Sequence, residues 1–364
     1  MSIEWESFLQ EWDGVVALTR KEWLMPVTGK GSPFYPPTYA GKANESIYNI
    51  DPPQPKDGPP ILPNVCLVDS QGSQANRIEP MFMEEPFRVL VPQIEITATS
   101  GSESLQRNLL QLGHRLADAF ARSSTGAPKI TAAFKALLAG DAVPLAKLGP
   151  TSLVFGVWDS RDTFVKWPRI VNSVIRAYDV RVLTRSALYT PPVSYSDLGV
   201  FDAKEEAKEG NSKDPLSQAG FKHCPSTRAL GGVIAEGDIV AESYLALGPL
   251  RNLRAADPTQ QEKLRRYILG LALTAFFCPQ ESWLRQGCLL VSDPERAAET
   301  KIVRRDGTTS LLTEDEDGWW EFAQTAAAEF GVGASEHWTF DKRRAKELVA
   351  KAKKKNGKNK GNDE

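Results

Sequence analysis

The chain has 364 residues, which is room for two compact domains or for one large domain carrying insertions. Apolar residues make up 41% and charged residues 25%, close to the globular average, which excludes a wholly disordered or fibrous chain. The formal net charge of −2 hides an asymmetry: residues 341–364 hold ten Lys or Arg and four Asp or Glu and carry +6, so the preceding 340 carry −8. A polyanion would have to meet the body through a local basic stripe, not through its overall charge. Cys66, Cys224, Cys278 and Cys288 are scattered, form no C-x-x-C pair, and read as reduced thiols of a cytoplasmic protein. The longest apolar run, Tyr267 to Cys278, has 12 residues against the roughly 20 that a bilayer needs, so no membrane partner is expected. The acidic start (Glu4, Glu6, Glu11) lacks the basic and apolar regions of a signal peptide.

Trp5, Phe8, Leu9 and Trp12 fall at i, i+3, i+4 and i+7 and predict a short amphipathic helix in an N-terminal helical segment, 1–32. Nine prolines between Pro33 and Pro63 deny the backbone its donors and predict an extended segment. The aromatics of that segment (Phe34, Tyr35, Tyr39, Tyr48) would pack on the body or on a neighbouring molecule. A folded body is expected over 64–335. It begins with a strand at Val65 to Val68, a turn, a helical segment from Gln74 to Met83, and a second strand from Gln93 to Thr99. The stripe Leu105, Leu109, Leu112, Leu116, Phe120 predicts a helix over Ser104 to Arg122, and a shorter helix runs from Lys129 to Leu138 before Gly140.

Strands are predicted at Leu153 to Trp158 and along Val174 to Thr184, where Arg181 and Arg185 would share a face. The stretch Asp197 to Pro215 is charged and poor in apolar residues, so 190–230 reads as a mobile insertion. Gly231 to Leu247 predicts a hairpin turning near Gly237-Asp238. Asp257 as N-cap and Pro258 at N1 open the clearest helix, with Leu264, Tyr267, Ile268 and Leu271 buried. A strand at Cys288 to Val291, a hairpin turn at Arg305 to Thr308 and a helix from Asp315 to Phe330 follow. The tail, 336–364, is basic and expected to be disordered.

The chain has no G-x-S-x-G, P-loop, H-E-x-x-H or zinc-spaced cysteine set, so neither a catalytic residue, a metal nor a cofactor is expected. His223 beside Cys224 is at most half a metal site. The acids Glu314 to Asp317 lack the spacing of a calcium loop and fit a helix N-terminus better. Two clusters point to a polyanion instead. Ser73, Gln74, Asn76 and Arg77 open a helix directly after a strand, so backbone donors, a hydroxyl, two carboxamides and a guanidinium could converge on a phosphate. The alternative is an ordinary capped helix with an exposed arginine. Trp158, Arg161, Arg169, Arg176, Arg185, Ser186 and Tyr189 mix cations with aromatic faces, as single-stranded nucleic acid requires. The alternative is a sheet with scattered arginines and core tryptophans.

Taken together and in order, these stretches resemble a known family. Leu67-Val-Asp-Ser-Gln-Gly-Ser-Gln-Ala-Asn-Arg-Ile-Glu79, Ser152-Leu-Val-Phe-Gly-Val-Trp-Asp-Ser-Arg161, Pro168-Arg-Ile, Arg185-Ser, Tyr189-Thr-Pro-Pro-Val-Ser-Tyr195, Gly231-Gly-Val, Arg265-Arg-Tyr-Ile-Leu-Gly-Leu-Ala-Leu273 and Gly287-Cys-Leu-Leu-Val291 carry the likeness. It is to the backbone subunit of the type I-G (formerly I-U) CRISPR interference complex, a member of the RAMP superfamily.

The resemblance implies an α+β fold: a modified RRM or ferredoxin-like palm with large insertions forming a finger-like lobe and a thumb, the latter within 190–230. It implies several copies of the chain on one CRISPR RNA, partnership with other subunits of the complex, and target DNA reached by pairing with the guide. Ser73, Gln74, Asn76 and Arg77 would be the first guide-backbone contacts. Arg161, Arg169, Arg176, Arg185 and Ser186 would be the second group, with Trp158, Tyr189 and Tyr195 stacking or wedging. The resemblance favours a non-catalytic subunit. The rival is a RAMP-type endoribonuclease with His223 or Asp159 as general acid or base.

Overall fold

A computed structural model describes residues 4–359 except 11–13, 42–45, 56–57, 188, 209, 212, 224–225, 279–281 and 313–317. Trp12, Cys224, the acids Glu314 to Asp317 and the last five residues therefore lie outside the described residues.

The first correction comes at the amino terminus. Trp5–Leu9 makes only a single 3-10 turn with Trp5 and Phe8 buried, and the segment is dominated by a 12-residue strand, β1 (Val15–Pro26). Leu18 is fully buried, while Lys21 on the opposite face is exposed, which suits a central strand with one open face. Five further strands and two helices complete the body of the palm: β2 (Val65–Asp69), α1 (Gln71–Ile78), β3 (Val171–Tyr178), β4 (Ile239–Ala246), α2 (Pro258–Phe277), β5 (Cys288–Ser292) and β6 (Glu299–Arg304). β1 pairs antiparallel with β4, and β4 with β3. On its other edge β1 pairs with β6 over Val15 to Lys21 and with β5 over Leu24 to Pro26.

The chain order β1-α1-β3-β4-α2-β5/β6 with the spatial order β5/β6-β1-β4-β3 is the ferredoxin-like, RRM-like arrangement. β2 is an addition that extends the sheet along the outer edge of β3. The fold is α+β, with a curled antiparallel sheet and long insertions.

Both helices lie on the same sheet face. Gln74 of α1 accepts a hydrogen bond from Ser173 of β3 (2.9 Å), and Leu18, Val171 and Leu245 join the buried residues of α2 in one core. α2 starts as its sequence predicts: the Asp257 carboxylate accepts from the Gln260 N–H at 2.8 Å, and Pro258 occupies the first turn. From Leu264 to Phe276 it is buried almost all round, because a further helix, α3 (Gly318–Phe330), covers its outer side. The crossing is close: a Cβ on Gly270 would lie 2.9 Å from the Ala323 Cα. Tyr267, fully buried, stacks on Phe330 at 4.7 Å and donates its hydroxyl to the Leu90 carbonyl at 2.7 Å.

The insertion between α1 and β3 contributes to this same core. The leucine stripe predicted to be a helix over 104–122 is instead a strand, Glu103–Asn108, two 3-10 turns and the helical turn Ala119–Arg122. Leu105 is 48% exposed, whereas Leu109 and Leu116 are buried. Asn108 and Gln111 form a reciprocal capping box that ends the strand. The helix Ala127–Leu138 is found as predicted. Leu153 to Trp158 is not one strand: Thr151–Val154 is a helical turn, and only Val157–Trp158 pairs, with Lys166–Trp167.

A second, smaller core lies where the proline-rich segment closes the sheet. Phe34 is 1% exposed there and exchanges two backbone hydrogen bonds with Val233 (3.0 and 2.8 Å). Gly232 makes the approach possible, since at φ +98° any Cβ would lie 2.8 Å from the Phe34 carbonyl oxygen. Tyr48 accepts the Gly232 N–H at 3.0 Å, so the segment packs on its own body. The predicted hairpin turning near Gly237-Asp238 is not formed: Ser226–Ala235 pairs with Val180–Ala187 and β4 pairs with β3, so residues 236–238 lie opposite Tyr178 and Asp179 as an irregularity where the chain passes from one antiparallel ladder into the next. Val180–Ala187 and Ser226–Ala235 form a two-stranded ribbon between β3 and β4, and residues 189–223 sit at its end.

Cys66 and Cys288 are buried as thiols, and burial pushes them up to about 12 and about 11. Among the described residues no helix is long and apolar enough to cross a membrane.

The tail is also corrected. β7 (Glu336–Thr339) pairs in parallel with Ile94 to Thr97, and Trp338 is 3% exposed. The basic stretch then forms a helix, α4 (Lys342–Asn359). Trp338 fills the space over Gly126, where a Cβ would lie 2.2 Å from the indole. Trp338→Ala should therefore cost about 3–5 kcal/mol in urea unfolding. A loss below about 1 kcal/mol would show that β7 is not part of the core.

Candidate nucleic-acid interface

β2 ends in a buried carboxylate. Asp69 is 1% exposed, and the chain turns at Ser70, whose hydroxyl caps α1 by accepting the Ser73 N–H at 3.2 Å. Positions 73, 74 and 77 share one helix face, and all three side chains reach back to Asp69. Ser73 Oγ donates to Oδ1 at 2.8 Å, Gln74 Nε2 to Oδ2 at 2.7 Å and Arg77 Nε to Oδ2 at 3.1 Å. Arg285, from the short strand Trp283–Arg285 at the far side of the sheet, adds a fourth donor, Nη2 to Oδ1 at 2.7 Å. The four donors satisfy a carboxylate that would otherwise be too costly to bury.

The helix-opening cluster thus converges on an anion, but that anion is internal. Gln74 is buried, and its Oε1 accepts from Ser173, which in turn accepts from Ser243 at 3.0 Å. Ser73 and Gln74 are corrected from outward contacts to parts of this network. Asn76 faces outward beside Gly113, and Arg77 stays 27% exposed while its Nη2 donates to the Leu284 carbonyl at 2.6 Å. Two guanidinium groups around one carboxylate leave a net positive charge at this surface.

Cations and aromatic rings continue on both sides of it. Tyr39 lies beside Arg285, where burial pushes its hydroxyl up and Arg285 opposes the shift. The Tyr35 N–H donates to the Gly287 carbonyl at 3.0 Å, and the exposed Arg185 sits 5.9 Å from the centre of the Tyr35 ring. Ser186 is exposed next to it on the ribbon. In the other direction Arg169 is held by Nε donation to the Phe155 carbonyl at 3.1 Å, with Nη2 3.8 Å from where a Cβ on Gly72 would be. Arg169, the outer side of α1, Arg77 with Arg285, and Tyr35 with Arg185 therefore follow one another along one side of the palm.

Beyond Arg169 a hairpin, 157–167, projects from the body. Trp158 is not core: it is 63% exposed, with Lys166 Nζ 5.6 Å from its ring centre and Arg161 exposed nearby. Asp159 holds this loop from inside, accepting from the Thr163 N–H (2.9 Å) and hydroxyl (2.8 Å) and the Arg161 N–H (3.3 Å), and pairing with Arg122 at 3.1 Å. Burial pushes its carboxyl up, but Thr163 and Arg122 outweigh that and hold it below the ordinary carboxylate value. Every partner of Asp159 is therefore structural.

Other expected contacts are placed elsewhere. Arg176 shares its face of β3 with Tyr244 and Lys21 of the neighbouring strands, away from α1, and pairs with Glu242 at 3.2 Å. Strand alternation is what separates it from Arg77. Tyr195 packs within the end lobe against Phe221 (4.9 Å) and Phe201 (6.3 Å), while Glu206 accepts its N–H at 2.9 Å. Tyr189, 46% exposed, donates its hydroxyl to the Gly220 carbonyl, and its own carbonyl meets His223 Nδ1. Among the described residues no group of three or more His, Cys, Asp or Glu is placed to hold a metal ion. Arg285, Tyr35 and Tyr39 were not legible as partners of this surface, because only closure of the sheet brings Trp283–Arg285 to Asp69.

Residues 18–182, which run from β1 through β3, match the family described as CRISPR-associated protein GSU0053 (Cas_GSU0053). The match indicates a CRISPR-associated protein. No curated relative matches the chain. A CRISPR-associated protein works with other subunits of its system.

Asp69→Ala would leave Arg77 and Arg285 without their carboxylate and Gln74 without its acceptor. It should destabilise the chain by about 3–5 kcal/mol in urea unfolding, and Arg285→Ala by less, since three donors remain. Equal stability of Asp69→Ala and wild type would show that the network does not hold β2 and α1 together.

Proposed function

We propose that the chain is a non-catalytic subunit that grips a CRISPR RNA by its sugar-phosphate backbone, several copies side by side on one guide, while the bases of the guide stay free to pair with target DNA. The observation that carries this reading is the run of cations and rings from Arg169 past α1 to Arg185, set on a ferredoxin-like palm whose first part, residues 18–182, matches a CRISPR-associated family. Arg and Lys on one track neutralise phosphates without reading sequence, which leaves specificity to base pairing.

The ribbon with its end lobe stands between β3 and β4, where it would serve as the thumb that reaches the next copy along the guide. Tyr195 and its neighbours then act by stiffening the lobe. The resemblance of the motifs to the type I-G backbone subunit supports the same subtype here, with assembly in the cytoplasm alongside the other subunits of that complex. The internal engagement of Asp159 and the His223–Tyr189 contact favour binding over cleavage.

Purified after co-expression with a CRISPR array, the wild-type chain should carry RNA of discrete length. Arg169→Ala and Arg185→Ala should each weaken guide binding roughly ten-fold and flatten its salt dependence by about 0.7, the worth of one phosphate contact on a single strand. Wild-type affinity and slope in both variants would refute the grip. Specific cutting of precursor RNA, lost in His223→Ala or Asp159→Asn, would favour the ribonuclease reading instead.

A further inference from the structure

One residue holds together two exposed features that the guide-binding track does not use. The Arg122 side chain pairs with Asp159 (3.1 Å) and Asp162 (3.3 Å) and so fixes the hairpin that displays Trp158. The Arg122 carbonyl accepts from Arg344 Nε at 2.9 Å and so fixes the root of α4. That root is tied down further: the Asp341 carboxylate accepts the Arg343 and Arg344 N–H groups (2.9 and 3.1 Å), and Phe340 stacks on Phe120 at 5.4 Å. Hairpin and helix therefore leave the body about one arginine side chain apart.

Their chemistry is complementary. Arg344, Ala345 and Leu348 turn toward the body, whereas Lys342, Arg343, Lys346, Lys351 and Lys353 are exposed. Lys342 and Lys346, four apart on one helix face, repel each other at some cost, while Arg343 pairs with Glu347 at 3.8 Å. A polyanion along the helix would remove that repulsion. Asp159 and Thr163 order the loop that displays the exposed Trp158 indole, so a base could stack on it without the loop having to order first, with Lys166 beside it for a phosphate. Stacking on an exposed ring needs a base whose face is open, which a paired strand does not offer.

We propose that the Trp158 hairpin and α4 form a second contact, for an unpaired polynucleotide strand, distinct from the track between Arg169 and Arg185. The contact assigns Trp158 and Arg161 to that strand and gives the basic C-terminal helix a role on the same side. It stands apart from the guide-binding proposal, which Arg169→Ala and Arg185→Ala test on their own.

The experiment uses the full chain, as purified with its guide, and fluorescence anisotropy of labelled oligothymidine and oligouridine over a salt series. Trp158→Ala should weaken binding roughly five-fold or more at an unchanged salt slope, with Trp158→Phe restoring most of the loss. The pair Lys351→Gln and Lys353→Gln should flatten the slope by about 1.4, two phosphate contacts at about 0.7 each. Both sets should keep their guide RNA and their unfolding temperature, since the altered side chains are exposed. Tighter binding of one oligonucleotide supports the contact and identifies the strand as DNA or RNA. Wild-type binding of both oligonucleotides by either set would overturn the proposal. Loss of guide RNA from either set would also overturn it, because the hairpin or helix would then belong to the guide track.

Discussion

A carboxylate that is almost fully buried must be surrounded by donors or the fold loses several kcal/mol. Asp69 meets that demand with four of them: Ser73, Gln74 and Arg77 from the helix that follows it, and Arg285 from more than 200 residues away. The consequence reaches beyond stability. Meeting the demand fixes the angle at which α1 leaves β2 and turns one edge of the Arg77 guanidinium inward. It also pins the strand Trp283–Arg285 across the end of the sheet. The positive surface of the palm is therefore built around an internal negative charge, and its arginines are held in place before any ligand arrives.

The sheet divides the remaining chemistry. The face carrying α1 and α2 holds the core and, at its rim, the track from Arg169 to Arg185. The opposite face, with Lys21, Tyr244 and Arg176, is open, but its Arg176 and Lys301 are already paired with Glu242 and Glu299 (3.2 and 2.6 Å). Two insertions extend the rim in different directions. One ends in the Trp158 hairpin, stiffened by Asp159, and the other in the ribbon and its aromatic lobe. A palm of ordinary topology thus carries its distinguishing features on segments between core elements, where length can vary without disturbing the sheet.

Sequence patterns found the elements whose signals are local. Asp257-Pro258 announces α2, Arg305 to Thr308 announces its turn, and Val65 to Val68 announces β2. The failures have physical reasons. β1 was hidden because Trp5 and Phe8 gave a helical period just before it, and because the charged run Arg20, Lys21 and Glu22 interrupts its apolar pattern on both faces. The leucines from Leu105 to Leu116 kept helical spacing, although Gly113 and the Asn108–Gln111 cap break the segment into a strand and turns. Trp338 alone marked β7 in a tail otherwise read by its charge. At the candidate site the sequence named Arg77, Arg169 and Arg185, which the fold brings to one side of the palm, yet not that Ser73 and Gln74 look inward. That depends on Asp69 being buried, and burial is a property of the assembled sheet.

The central claim is that phosphates run along the rim between Arg169 and Arg185, and a density map of the chain assembled on its guide tests it most directly. The account predicts phosphate oxygens within hydrogen-bond distance of Arg77, Arg169 and Arg185, with the bases turned away from the protein and Asp69 still enclosed by its four donors. A map in which those three arginines face bulk solvent, with the guide lying across Tyr244 and Lys21 on the open face of the sheet, would contradict it.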